Sequence, residues 1–471
     1  MFPVIVYNFG CKLKQLEGEA IADSFKKAGF NLLPASQKIA GPGIIIINTC
    51  TVTSKADQKA RRFIRYALRE NPSSCVIAAG CYAGLDKPEV EAIESEFSSG
   101  GVKRLFVPGQ AETKDGGTGL VKSSLLSLPT FLQKAASCEK NLSQILETFF
   151  KNAIGDSPFA FRPEEFSFHS RGYLKIQDGC DSLCAYCRVP LARGAAISLP
   201  AKDALDRLLF FEEKGCAEIM ITGVNVTQYN DPGLRKGLAD LLKYLLDGSR
   251  KIALRVASLE PDGIDKTLAS VLAHERIRPH FHLSIQSGSD SVLKRMGRLY
   301  DSRQAAAAAA LLRSVKDDPF LACDIIAGFP GETAEEFEQT FSFCEKNRFA
   351  WIHAFPFSKR AGTAAFSFPN PVCDRDKTQR VRSLVKLALQ GRHDYAARWL
   401  GKEISAVAEK GEGETSGGKK NFLRAVSENY LKLLIECPGK SPPPGSALYC
   451  VPVSLGDADG VRPDATARLK I

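Results

Sequence analysis

Along the first 110 residues, short apolar runs alternate with longer stretches whose apolar positions recur three and four residues apart. Runs of the first kind read as strands buried on both faces, and stretches of the second kind as the helices that cover them. The pattern predicts strands at Val4 to Phe9, Ile44 to Asn48 and Val76 to Ala79, with a fourth around Arg104 to Val107. Between them, Gln15 to Ala28 places Leu16, Ala20, Ile21 and Phe25 on one helical face and stops at Gly29, and Ser54 to Glu70 stops at Asn71-Pro72. An open parallel-sheet α/β domain over residues 1–110 follows.

Residues 111–168 lose this rhythm, with Gly116, Gly117 and Gly119 ahead of a Ser/Leu-rich stretch, and read as a linker with some helix. From Gly172 the alternation returns. Strands are predicted at Tyr173 to Gln177, Glu218 to Thr222, Ile252 to Ala257, His280 to Ile285, Leu321 to Ala327 and Trp351 to Phe357, the first five each followed by a helical pattern. Six such units over residues 169–395 predict a partial (β/α)6 TIM-like barrel, an architecture that gathers reactive groups at the carboxyl ends of its strands. A long helix from about Asp374 to Leu400 closes the region. Residues 396–471 change to short strands separated by Gly, Pro and Ser turns, the pattern of a small β-barrel.

Composition narrows the functional classes. With 44% hydrophobic and 25% charged residues among 471, the chain is globular rather than disordered. It holds no apolar run of the roughly 18 residues that a membrane span needs, and it begins without the basic-then-apolar plan of a signal peptide, so a cytoplasmic protein without a membrane partner is expected. Sixty-three basic against 53 acidic residues give a net charge of +10, which suits a polyanionic partner and equally suits a merely soluble surface.

The 14 cysteines carry the chemistry. In a reducing compartment, clustered cysteines read as metal-binding or catalytic before they read as disulfides. Cys180, Cys184 and Cys187 form a C-x3-C-x2-C just after the first strand of the barrel region. Three thiolates hold three corners of a cubane and leave its fourth iron open, whereas structural zinc prefers four ligands as two separated pairs. Cys11, Cys50 and Cys81 each follow a predicted strand of the N-terminal sheet. Because the carboxyl ends of parallel strands share one crevice, these three form a second candidate cradle. The other eight (Cys75, Cys138, Cys216, Cys323, Cys344, Cys373, Cys437 and Cys450) show no such placement.

With an aromatic residue directly before its third cysteine, the C-x3-C-x2-C resembles the signature of the radical S-adenosylmethionine (SAM) superfamily. The resemblance implies a [4Fe-4S] cluster whose open iron chelates the methionyl group of SAM, and a 5′-deoxyadenosyl radical formed by one-electron cleavage. It places Tyr186 at the adenine and the Gly223-Val-Asn225 turn at the methionyl end, with Gln286 a further candidate for the same pocket. Longer phrases sharpen the likeness: Phe9-Gly-Cys-Lys, Asn48-Thr-Cys-Thr-Val-Thr, Ala79-Gly-Cys-Tyr-Ala, Leu174-Lys-Ile-Gln-Asp-Gly-Cys, His282-Leu-Ser-Ile-Gln-Ser-Gly and Gly328-Phe-Pro-Gly-Glu-Thr. Together they resemble the methylthiotransferases, in particular the branch that acts on threonylcarbamoyl-adenosine in tRNA. Lys14 stands where that family commonly has Asn.

The family likeness implies two [4Fe-4S] clusters, SAM both as methyl donor and as radical source, a TRAM-like C-terminal barrel, and an electron donor protein of flavodoxin or ferredoxin type. Candidate RNA contacts are Arg61, Arg62 and Arg65 on one helix, Lys359 and Arg360 after the sixth barrel strand, and Lys420 in the C-terminal barrel, where Phe422, Tyr430 and Tyr449 are interleaved with basic residues. Competing expectations are a methylthiotransferase of isopentenyl-adenosine tRNA or of a ribosomal protein, and a zinc-stabilised RNA-binding protein without catalysis.

Overall fold

A computed structural model describes residues 2–97, 102–112, 118–135, 141–410, 421–437, 441–457 and 463–470. Strands β1 (Val4–Asn8), β2 (Ile44–Thr49), β3 (Cys75–Gly80) and β4 (Leu105–Phe106) form a parallel sheet in that order. Side chains of a strand alternate between faces, so a sheet covered twice needs unbroken apolar runs. Val4, Val6, Ile44, Ile46 and Ile77 meet Ala20, Ile21 and Phe25 of α1 (Lys12–Lys27), while Ile5, Ile45, Ile47, Val76 and Ala78 meet Ala60, Ile64 and Leu68 of α2 (Ser54–Glu70). Thr53 caps α2, its hydroxyl accepting from the Ala56 amide at 3.2 Å. Two helices of the connecting segment, Leu128–Ala135 and Leu142–Lys151, pack Leu128, Leu132, Ile145 and Phe149 into the core on the α1 side. The segment expected as a linker therefore covers one face of the sheet.

The central region places β5 (Gly172–Lys175), β6 (Glu218–Thr222) and β7 (Ala253–Val256) beside one another, and likewise β8 (His280–Gln286), β9 (Phe320–Ala327) and β10 (Trp351–Pro356), with every pairing parallel. Single bridges at Leu254/Ile277 and Leu259/Leu283 join the two halves. Outward residues such as Leu174, Ile219, Ile221, Leu254, Leu283 and Ile325 pack under the crossover helices. Many of the alternate, inward positions are polar, among them Lys175, Glu218, Arg255, His280, His282 and Asp324. Six strands leave a barrel open between its first and last strand, and α1 lies against the inner side of that gap. Its Leu16 packs on Tyr173 and Met220, and the Tyr173 hydroxyl donates to Gln15 Oε1 at 2.8 Å.

The last region is a closed five-stranded barrel built from Ile404–Ala408, Asn421–Ser427, Lys432–Cys437, Ala447–Leu455 and Ala465–Leu469. It seals the floor of the central barrel. Tyr430 turns there with φ +70° and stacks on His280, ring centroids 4.0 Å apart. Tyr430 is thus a packing residue between domains, which corrects its reading as an RNA contact. Above it the buried Glu218 carboxylate accepts from Arg255 at 2.7 and 2.9 Å and from Arg278 at 3.0 Å, and Arg171 stands 3.6 Å away. Burial alone would raise the Glu218 carboxyl, but these arginines hold it down to about 2 from its usual 4.5.

A carboxylate depressed in this way stabilises the fold above about pH 4.5 and loses that contribution as pH falls towards about 2. Glu218→Gln is therefore expected to cost about 3–5 kcal/mol near neutral pH, since it leaves buried guanidinium groups uncompensated. Urea denaturation at stepped pH should show this deficit shrinking below about pH 4.5; a gap that is constant with pH would contradict the assignment. Among the described residues, no helix is long and apolar enough to cross a membrane.

Candidate active site: two cysteine cradles joined through a buried ion chain

The N-terminal trio converges as the strand ends require. Cys11 is the N-cap of α1, Cys50 follows β2, and Cys81 opens the short helix Cys81–Leu85 after β3. Two of these cysteines follow a glycine with positive φ, Gly10 at +107° and Gly80 at +106°. A Cβ on Gly10 would lie 2.4 Å from Cys50 Cβ, and one on Gly80 would lie 2.3 Å from the Thr49 carbonyl oxygen, so the loops close only with glycine. Burial and the neighbouring Cys11 and Cys81 sulfurs push the Cys50 thiol up to about 11, while Lys14 opposes the shift. Lys14 itself is buried, with its ammonium charge facing Cys81 and Cys11 and its Nζ 3.1 Å from Glu17. The positive end of the α1 dipole points into the same crevice. Three thiols under a lysine and a helix N-terminus suit an anionic metal–sulfur group, whose ligands must shed their protons on binding.

The second trio occupies the loop after β5. Cys180 Sγ accepts from the Ser182 amide and Cys187 Sγ from the Val189 amide, both at 3.4 Å. Burial raises the Cys187 thiol to about 12, with the nearby Cys184 and Cys180 adding to the effect. Arg298 donates to Cys184 Sγ at 3.1 Å, to the Ser284 carbonyl at 2.9 Å and to the Tyr300 hydroxyl at 2.9 Å, and is paired with Glu260. Nothing in the sequence singles out Arg298, because it lies 114 positions from its cysteine.

Between the trios runs a buried chain of alternating charge. Lys14 pairs with Glu17, Glu17 with Arg193 at 3.0 Å, Arg193 with Asp178 at 2.8 Å, and Asp178 with Lys175. Burial opposes ionisation of Asp178, yet Arg193 and Lys175 hold its carboxyl well below the usual range. Alternation lets each charge compensate its neighbour where none meets water. The chain couples α1, beside the first cradle, to the strand that feeds the second.

The other predicted residues separate into three groups. Tyr186 packs beside the second trio, in electrostatic reach of Arg298, Cys184 and Cys187. Gln177 clamps the predicted methionyl turn, its Oε1 accepting from the Val224 and Asn225 amides at 3.0 and 2.9 Å next to Gly223. Asn225 Oδ1 is engaged locally by Thr227, and Gln286 ends β8 with φ +70°. On the RNA side, Arg360 requires correction. It is 4% exposed and bonds Thr51 Oγ1 and Asp57 across the domain boundary, both at 2.6 Å, which leaves no free charge for phosphate. Arg61 is bound to Tyr82 and Glu89, and Arg65 forms a two-bond fork with Glu96, while Arg62 and Lys359 are exposed. Lys420 lies outside the described residues.

Residues 174–344 match the Radical SAM superfamily, and residues 3–99 match the Uncharacterized protein family UPF0004. The threonylcarbamoyladenosine tRNA methylthiotransferase of Treponema pallidum is 36% identical over 95% of this chain and 97% of its own length. The chain belongs to the radical SAM methylthiotransferase family. A Bacillus subtilis methylthiotransferase of the same printed name is 31% identical over 93% of this chain and 91% of that one. The tRNA-2-methylthio-N(6)-dimethylallyladenosine synthase of Orientia tsutsugamushi is 27% identical over 89% and 91%. As a radical SAM methylthiotransferase, the chain is an enzyme that uses a [4Fe-4S] cluster and SAM.

Proposed function

We propose that this enzyme adds a methylthio group to C2 of N6-threonylcarbamoyladenosine, next to the anticodon of tRNA. The observation that carries the reading is the presence of two separate cysteine trios, each without a fourth cysteine beside it among the described residues, linked by the Lys14–Glu17–Arg193–Asp178–Lys175 chain. The Treponema pallidum and Bacillus subtilis relatives named for threonylcarbamoyladenosine, at 36% and 31% identity, stand above the Orientia tsutsugamushi relative named for dimethylallyladenosine, at 27%, which supports the choice of substrate.

In this reading Cys180, Cys184 and Cys187 hold one [4Fe-4S] cluster, and Cys11, Cys50 and Cys81 hold a second. When bound, the clusters and SAM supply the electron, the 5′-deoxyadenosyl radical, the sulfur and the methyl group. The protein orients and shields them. Tyr186, Gly223, Asn225 and Gln286 line the SAM site, Arg298 fixes the Cys184 loop, and Lys14 offsets negative charge at the second cradle. Residues 1–110, 169–395 and 396–471 serve as auxiliary-cluster, radical and RNA-binding TRAM-like domains. Arg62, Lys359 and the exposed Tyr449 remain open to RNA, and a flavodoxin- or ferredoxin-type protein delivers the electron.

Nucleoside mass spectrometry of tRNA from a deletion strain tests this directly. The methylthio form of threonylcarbamoyladenosine should vanish while its unmethylthiolated precursor accumulates. Loss from isopentenyl-adenosine instead would reassign the substrate, and unchanged nucleosides would remove the proposal. Anaerobically purified protein should carry about eight irons; colourless protein with zinc would favour the non-catalytic RNA binder.

A further inference from the structure

A polar cluster that neither cradle uses lies on the inner face of the central barrel. His282 of β8, Asp324 of β9 and His353 of β10 bring one potential ligating atom each within 4.8 Å of the others. His282 Nε2 lies 3.0 Å from Asp324 Oδ1, its Nδ1 lies 2.8 Å from the Ser258 hydroxyl, and its ring centroid is 5.1 Å from that of His353. The Trp351 indole donates to His353 Nδ1 at 3.2 Å and turns the ring.

The fourth member arrives from the other domain. Lys12 begins α1, directly after Cys11 and one helical turn before Leu16, which packs on Tyr173 and Met220 of the barrel; burial pulls its ammonium below the usual lysine range, Arg255 and Arg171 add to that, and Tyr430 and Asp324 oppose it. Among the described residues it has no hydrogen bond or ion pair. A cation beside two guanidinium groups, with no acid hydrogen-bonded to it among the described residues, is a receiver for an anion.

We infer that Lys12, His282, Asp324 and His353 form the receiving site for the polar N6 arm of the target adenosine, with Lys12 taking its carboxylate and the His–Asp–His group taking its hydroxyl and ureido groups. The inference rests on the substrate proposed above and adds to it the residues that select that substrate. The chemistry matches group by group. A threonylcarbamoyl arm offers one carboxylate, one hydroxyl and ureido N–H and C=O groups, whereas a dimethylallyl arm offers none of these. The position matches as well, since Lys12 directly follows Cys11 of the cradle that would deliver the methylthio group. A site that offers several convergent polar groups to one ligand and nothing apolar to its competitor favours the first.

The test is equilibrium binding of anticodon stem-loops, with and without the threonylcarbamoyl group, to the anaerobic holoenzyme. The unaltered enzyme should prefer the modified loop about tenfold, equivalent to about 1.4 kcal/mol. Lys12→Gln should erase most of that preference without weakening the unmodified loop, and Lys12→Arg should restore part of it. Because Lys12 adjoins a cluster ligand, His353→Phe repeats the test from a position that adjoins none, and should also lower the preference.

Retention of the preference in both Lys12→Gln and His353→Phe would overturn the inference, as would equal weakening of both loops. Zinc or iron beyond the clusters that is lost in His353→Phe would also overturn it, by making the trio a metal site. If the unaltered enzyme forms methylthio product yet shows no preference between loops, this inference alone fails. If it forms no methylthio product on any tRNA, the underlying function fails instead.

Discussion

Cys184→Ala is expected to abolish reductive cleavage of SAM, a fall of about a thousandfold or more and thus about 4 kcal/mol of barrier. The substitution leaves two thiolates where three are needed to hold a cubane, and it removes the sulfur that Arg298 grips at 3.1 Å. Arg298 would keep its bonds to Ser284 and Tyr300, so the surrounding loop should hold its shape while the metal is lost. The measurement is 5′-deoxyadenosine released under strong reductant, alongside iron content, which should fall from about eight to about four per chain. Cleavage at the unaltered rate would exclude Cys180, Cys184 and Cys187 as the radical-generating trio.

Cys50→Ala should separate the two halves of the chemistry. SAM cleavage should persist, whereas methylthio formation on tRNA should fall about a thousandfold or more. Cys50 is 5% exposed and packed against Gly10, and alanine keeps the Cβ while removing only the sulfur. The fold should therefore survive with a cost of about 1 kcal/mol. Iron should again drop to about four per chain, now with the spectroscopic signature of the remaining cluster unchanged on SAM addition relative to the unaltered enzyme. If this variant lost cleavage and sulfur insertion together, the two trios would not be independent centres.

Much of this arrangement could be read from the sequence because its causes are local. The strands of the first sheet are apolar runs covered on both faces, and the first three of them lead into Cys11, Cys50 and Cys81. The C-x3-C-x2-C needs only eight residues and no tertiary information. What escaped was the partner of each charged group. Arg360 follows a strand at the reactive end of the barrel and reads as a surface cation, yet Thr51 and Asp57 of the other domain bury it. Tyr430 sits among lysines like an RNA-stacking residue, and it stacks on His280 instead. Glu17, Arg193 and Asp178 are individually unremarkable as residues and acquire meaning only as successive members of one chain of charge. Lys14 shows the same limit: in the sequence it is only a departure from a family habit, whereas its side chain serves an electrostatic purpose beside the sulfurs.

The stacking of Tyr430 beneath His280 and the wedging of α1 against β5 and β6 have a joint consequence for traffic. The C-terminal barrel covers the central barrel below, and α1 lies along part of its side. Neither contact can open without breaking a seam between domains, so traffic to the strand ends is expected to pass elsewhere.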